Sequence, residues 1–221
     1  RVDFSENRVT LDYIWQPQLL TQLQRKSAAL LIPDADRTRL LVYAELIQQQ
    51  LKPLPQGTKL PLHRLMQPAF ALARSRDGDA VSENRAAITA LAAYVSGVSL
   101  PKLLKQEGTH IRRGPPVLPR LHGRWDFSQH YLIAAAVAAN GGSRLANALG
   151  LAKEEDDAKQ GSGFSFTDLA ADRAAARLGE RLIGDNALQT QQKLAQADDD
   201  IDLMPDFNDL PEFMPNDEFV R

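Results

Sequence analysis

Between Asp126 and Gly179 the chain places alanines at 134–136, 138–139, 170–171 and 174–176, in segments bounded by capping residues and glycines. Helices with so little side-chain bulk can approach closely, and on short connections they must pack antiparallel or at steep angles. This limits the fold more than any other feature. It requires three closely packed helices, with room between them for only a few polar side chains.

The helix boundaries follow from local chemistry. Asp126 with Gln129 three residues on has the form of a capping box, with Asp in the usual Ser or Thr position. The helix it opens runs through His130 to Asn140 and stops at Gly141-Gly142. Ser143 is the expected cap of the next helix, which carries Leu145, Leu149 and Ala152 and runs out in Glu154-Glu155-Asp156-Asp157. The loop Gly161-Ser162-Gly163-Phe164-Ser165-Phe166 follows, and Thr167 is the expected cap of a third helix from Asp168 to about Ile183.

Upstream, apolar residues recur at helical spacing. Pro17 starts a helix with Leu19, Leu20, Leu23 and Leu30, and Asp34 or Asp36 caps another with Leu40, Ala44, Ile47 and Leu51. A helix spans Leu60 to Arg76. Ser82 caps a further one whose stripe is Ile88, Leu91, Ala92 and Val95, and Ser99-Leu100-Pro101 starts a short one. Val9, Leu11 and Tyr13 alternate, which predicts a strand or hairpin within Arg1–Trp15. His110 to Arg124, with three prolines, two glycines and four arginines, reads as an extended connector. The expected fold class is mainly α: a helical bundle with a short N-terminal strand or hairpin and an extended acidic C-terminal arm. Its divisions are a helical body (1–110), the Pro/Arg-rich connector (111–125), the three-helix region (126–184) and the arm (185–221), and all four can belong to a single domain.

A chain of 221 residues can bury a core without covalent staples. It has no cysteine, which excludes disulfides, thiolate nucleophiles and cysteine-bound metal. The net charge of −2 and 6% aromatic content argue against nucleic acid as a partner. The longest apolar run, Leu132 to Ala139, falls far short of a membrane span of roughly 20 residues. Asp198 to Arg221 holds nine acids against one arginine, yet Leu203, Met204, Phe207 and Phe213 are interleaved among them. Disordered segments are poor in such residues, so this arm lies over the body or docks on a protein partner or envelope component. The chain opens at Arg1 rather than Met, so a signal or anchor would lie upstream.

The candidate chemistry falls in the three-helix region. His130 lies one turn inside its helix, Glu154 and Asp157 are neighbours at i, i+3, Asp168 is in a first turn, and Asp172 is one turn further on. A histidine with several carboxylates from adjacent helices can act as a general acid/base set or hold a divalent cation. The same residues can also be structural. Asp168 can serve its helix N-terminus, and Arg173, Arg177 and Arg181 are candidate partners for Asp172. Ser162 and Ser165, in a glycine-rich loop before a helix, can present backbone amides to an anion.

Asp126-Phe127-Ser128-Gln129-His130, Gly150-Leu151-Ala152-Lys153-Glu154, Asp157, Ser165-Phe166-Thr167-Asp168-Leu169 and Gly179 occur in that order. The order resembles the His, Lys-Glu, Asp, Ser-x-x-Asp-Leu, Gly pattern of the YfiM-like predicted periplasmic lipoproteins. It is similar, more loosely, to VanZ-like membrane proteins, and to exported bacterial proteins with a Gly-Ser-Gly-Phe-Ser-Phe loop. The resemblance implies a periplasmic or exported location at the cell envelope, with His130, Glu154, Asp157 and Asp168 as the shared polar set. It implies no reaction. Asp172 stands where the related pattern usually has Asn or a small residue.

Two functions remain open. One is an envelope-associated binding or scaffolding protein with a polar helical centre and a partner for the 198–221 arm. The other is a hydrolase-like or metal-dependent enzyme acting on an envelope polymer or lipid. There His130 or Glu154 is the acid/base, and Asp157 and Asp168 hold a cation or orient the base.

Overall fold

The computed structural model describes residues 2–5, 8–11, 37–76, 78–97, 117–160, 163–207 and 209–215. The expected helices from Pro17 and from Ser99, the proposed caps Asp34 and Asp36, and Ser162 lie outside these residues. The described chain is mainly helical. Strands β1 (Val2–Ser5) and β2 (Arg8–Leu11) pair antiparallel as the expected hairpin. Helices α1 (Arg37–Leu51), α2 (Leu62–Ser75) and α3 (Ala80–Val95) form the N-terminal body. Helices α4 (Trp125–Gly141), α5 (Ser143–Gln160) and α6 (Phe166–Ile183) form the three-helix region, and α7 (Ala187–Leu194) follows.

One buried cluster runs from Leu40 in α1 through Phe70, Leu91, Tyr131 and Leu182 to Met204. It joins the N-terminal body, the three-helix region and the arm. The most extensive helix–helix contact is α4 on α6, and its closest point is Gly179. A Cβ on Gly179 would lie 2.5 Å from the Ala135 carbonyl oxygen, 2.5 Å from Ala138 Cβ and 2.9 Å from Ala139 N. Alanines at 135, 136, 138, 139, 171, 175 and 176 are buried on the two helices.

Four capping assignments are corrected. Asp79, not Ser82, caps α3: its carboxylate accepts from the amides of Val81 at 3.4 Å and Ser82 at 2.9 Å, which makes Ser82 the third helical residue. Ser165, not Thr167, caps α6, its Oγ accepting from Asp168 N at 3.1 Å. Asp126 and Gln129 form no capping box. Arg124 occupies the cap position of α4 without a side-chain cap, its guanidinium draws the Asp126 carboxylate away, and Gln129 donates to the Val95 carbonyl. Ser143 is the first residue of α5 and its hydroxyl donates to Glu180.

The described part of the connector, from Val117 on, contains regular structure that its composition does not suggest. Leu118–Arg120 is a strand, β4, paired parallel with β3 (Lys59–Pro61). The described part of the arm lies over the body. Asp200 accepts from the His122 amide at 2.9 Å and lies 3.0 Å from His63 Nδ1. Tyr131 donates to the Leu203 carbonyl, Met204 is fully buried, and Met214 bridges to Phe164. His63 and His122, which have no patterned partner in the sequence, hold the arm in this way. No helix among the described residues is long and apolar enough to cross a membrane.

Candidate functional site

Helices α4, α5 and α6 each bring one ligand-type residue to a common point. His130, Glu154 and Asp168 place an imidazole nitrogen and two carboxylate oxygens all within 4.8 Å of one another. Around an α-helix Asp168 and Asp172 stand roughly 40° apart, so both reach the same neighbour. His130 lies between them, with Nδ1 3.1 Å from Asp172 Oδ1 and Nε2 3.5 Å from Asp168 Oδ2. Arg173, Arg177 and Arg181 stand roughly 100°, 140° and 180° from Asp172 on the same helix, so the partner of Asp172 is His130 and not these arginines. Gly150 on α5 permits this packing, because a Cβ there would meet Asp172 Oδ2 at 2.5 Å.

Glu154 is 1% exposed. Its two oxygens accept from Lys153 Nζ at 2.9 Å and from the Ser165 amide at 3.0 Å. The Ser165 amide in the loop before α6 is thus taken by the protein's own Glu154 side chain. Lys153 also holds Asp157 at 2.7 Å. Asp157 is thus drawn to the lysine, outside the set of three whose ligand atoms converge. On the other flank Arg124 stacks over Phe127, with 3.9 Å from Cζ to the ring centroid. It pairs with Asp126 and Glu212 and lies 3.7 Å from Asp168 Oδ1. Glu212 also accepts from Thr167 Oγ1.

Arg124, Lys153 and Glu212 belong to the centre and were not singled out as site residues from the sequence. Lys153 and Asp157 carry a legible i, i+4 signal. Arg124 and Glu212 are separated by 88 positions, and no local pattern joins them.

The charges do not balance. Six carboxylates, of Asp126, Glu154, Asp157, Asp168, Asp172 and Glu212, face two permanent cations, Arg124 and Lys153. Asp168 Oδ1 is buried and has no hydrogen-bond donor. Burial raises the Glu154 and Asp168 carboxyls above their ordinary range. Burial pulls His130 down, but the Asp172 and Asp168 carboxylates outweigh it and hold the imidazole above its usual value. Burial opposes the charged form of Lys153, yet Asp157 and Glu154 raise it.

No family model, curated protein or solved structure matches this chain significantly.

The raised groups carry a pH signature. The folded state holds protons on His130, Glu154 and Asp168 more tightly than the unfolded chain, so stability falls wherever these protons are lost. The His130 contribution is fully present below the unfolded value of 6.5 and declines as pH rises through the higher folded value. The two carboxyls act in the same direction from lower pH. Against the effect of burial, Arg124 holds Asp126 low, and the Thr167 hydroxyl and Arg124 hold Glu212 low; these two act oppositely but only at acid pH. In EDTA the melting temperature is expected to fall from about pH 6 to pH 8, and His130→Gln should flatten that decline. Parallel profiles for the two proteins would remove the imidazole as its source.

Beside the centre a pocket of about 160 Å3 opens between α4 and α5. His130, Lys153 and Asp172 reach its wall, and Ile133, Val137 and Leu149 supply apolar surface.

Proposed function

We propose that this is a binding protein of the scaffolding kind, whose polar centre ties three helices together around a divalent cation. The carrying observation is the convergence of His130, Glu154 and Asp168 from three helices on one point. Neighbouring ligand atoms on an ion with bonds of about 2.1 Å lie roughly 3–3.5 Å apart, and His130 Nε2 and Asp168 Oδ2 stand at 3.5 Å. Glu154 places an oxygen within 4.8 Å of both, and a carboxylate oxygen can accept a hydrogen bond and still ligate. Asp172 on Nδ1 supplies the outer carboxylate that fixes a metal-bound imidazole. A mixed imidazole and carboxylate set suits Zn2+ or Mn2+.

The enzymatic alternative uses the same groups, with a cation-bound water and His130 or Glu154 as the base. What favours it is the pocket that reaches His130 and Lys153. That pocket has room for a handful of waters rather than a polymer, and Glu154 is sealed from solvent, which favours holding over turnover. An envelope location completes the reading. It is supported by the resemblance to YfiM-like lipoproteins, and cell fractionation tests it.

The direct test is melting of EDTA-stripped protein titrated with Zn2+, Mn2+ or Mg2+. A cation at a hundred times its Kd adds about 2.7 kcal/mol, which for a chain of this size raises Tm by roughly 5–10 °C. His130→Ala and Asp168→Asn should abolish the rise. No shift with any of the three ions would sink the cation reading. If the two variants melt far below the wild type in EDTA as well, the centre is a structural network in its own right.

A further inference from the structure

The face of α6 turned away from the polar centre carries the opposite charge. Arg173, Arg177 and Arg181 follow one another at four-residue spacing, about 6 Å per step along the helix axis, and all three are exposed. Together with Lys193 on α7 they line a groove of about 600 Å3, walled by α6, α7 and residues 202–207. Asp202 is the one carboxylate in that wall. Its Oδ2 already accepts from the amides of Asp198 and Asp199, at 3.1 and 3.3 Å. Glu180, beside Arg181 in sequence, is turned to Ser143 on α5. Among the described residues none of the four cations has an ion pair or hydrogen bond.

Cations at i, i+4 and i+8 repel one another, and Asp202 is the one carboxylate lining the groove with them. Guanidinium groups present rigid forks of donors that match phosphate oxygens two at a time. A row of them at 6 Å steps fits a ligand with several phosphoryl groups better than a single anion. Leu178, Leu194 and Phe207 add apolar surface to the lining, and Asn186, Gln189 and Thr190 add further hydrogen-bonding groups. The volume falls within the few hundred to a thousand Å3 usual for small-molecule sites. The three walls make the groove concave, which suits a soluble ligand better than a flat lipid surface.

We propose that the groove between α6, α7 and the arm binds a soluble oligophosphate through Arg173, Arg177, Arg181 and Lys193. The site is independent of the polar centre.

The test is isothermal titration of the full chain with inorganic tripolyphosphate, with no divalent cation added. Saturable one-to-one binding is expected, weakening steeply between roughly 50 and 200 mM salt. Arg177→Gln/Arg181→Gln should weaken it at least tenfold while leaving the ligand-free melting temperature the same or slightly higher, since both side chains are exposed and their mutual repulsion is relieved. Asp168→Asn should bind as the wild type does, so that failure of the cation reading and failure of this one remain distinguishable. Absence of binding by the wild type, or equal binding by the double arginine variant, overturns the proposal. Binding to phosphatidylglycerol vesicles without saturable tripolyphosphate binding also overturns it, assigning the face to a membrane surface.

Discussion

Gly179→Val is expected to destabilise the protein by more than about 3 kcal/mol and to lower its melting temperature by roughly 6–12 °C. Two of the three atoms a Cβ would meet, the Ala135 carbonyl oxygen and Ala139 N, are backbone of α4. They cannot swing aside as a side chain can, so α4 and α6 must separate. Ordinary carbon contacts are about 3.5–4 Å, whereas a Cβ here would start 2.5 Å from that of Ala138. Opening the gap by about 1 Å strips contacts along the whole alanine seam. It also carries Asp168 and Asp172 away from His130, so cation binding should be lost with stability. Gly179→Ala should be milder, because alanine recovers about 1 kcal/mol of helix propensity. A valine variant that melts within about 2 °C of the wild type, less than 1 kcal/mol for a chain of this size, would show that the two helices are not in this close register.

Glu83→Ala should cost about 3 kcal/mol, the lower end for truncating a buried charged hub. Glu83 is 1% exposed. It accepts from Tyr43 at 2.6 Å, Arg39 at 3.1 Å and Arg76 at 2.9 Å, joining α1 and the end of α2 to α3. The arginines are about one-third exposed and can recover hydration, which keeps the cost below the full buried-pair range. Tyr43 cannot, being fully buried, and its orphaned hydroxyl accounts for about 1–3 kcal/mol of the loss. Burial and the Glu83 carboxylate hold that phenol well above its ordinary value, so it remains a donor at any physiological pH. Glu83→Gln keeps the shape and an acceptor oxygen and should lose less than half as much. Thermal melts of the three proteins decide the point, and equal losses for Gln and Ala would mean that charge, not hydrogen bonding, supports the hub.

Much of the candidate site was legible residue by residue. His130, Glu154 and Asp168 meet because each lies within a helix whose start and stop are written in nearby glycines and capping residues. Two of the errors in capping are of one kind. Ser82 and Thr167 each lie close to a better-placed acceptor, Asp79 or Ser165, and the choice depends on backbone angles that spacing does not reveal. Helix geometry by itself rules out the nearby arginines as partners of Asp172, since they point roughly 100° or more away. Adjacency in sequence is a poor guide to adjacency on a helix.

Short-range chemistry in the sequence determined the mainly helical character, the alanine-lined three-helix region, the polar set it carries, and an arm too aromatic to be a solvated tail. Only the tertiary structure decided that Arg124 gathers Asp126, Asp168 and Glu212, that His63 and His122 hold the arm, and that Arg173, Arg177, Arg181 and Lys193 share one groove. The division has one cause. Capping, periodicity and helix packing bulk act over a few residues and leave a local imprint. Charge pairing acts through space, and its partners are chosen by whichever helices the core brings together.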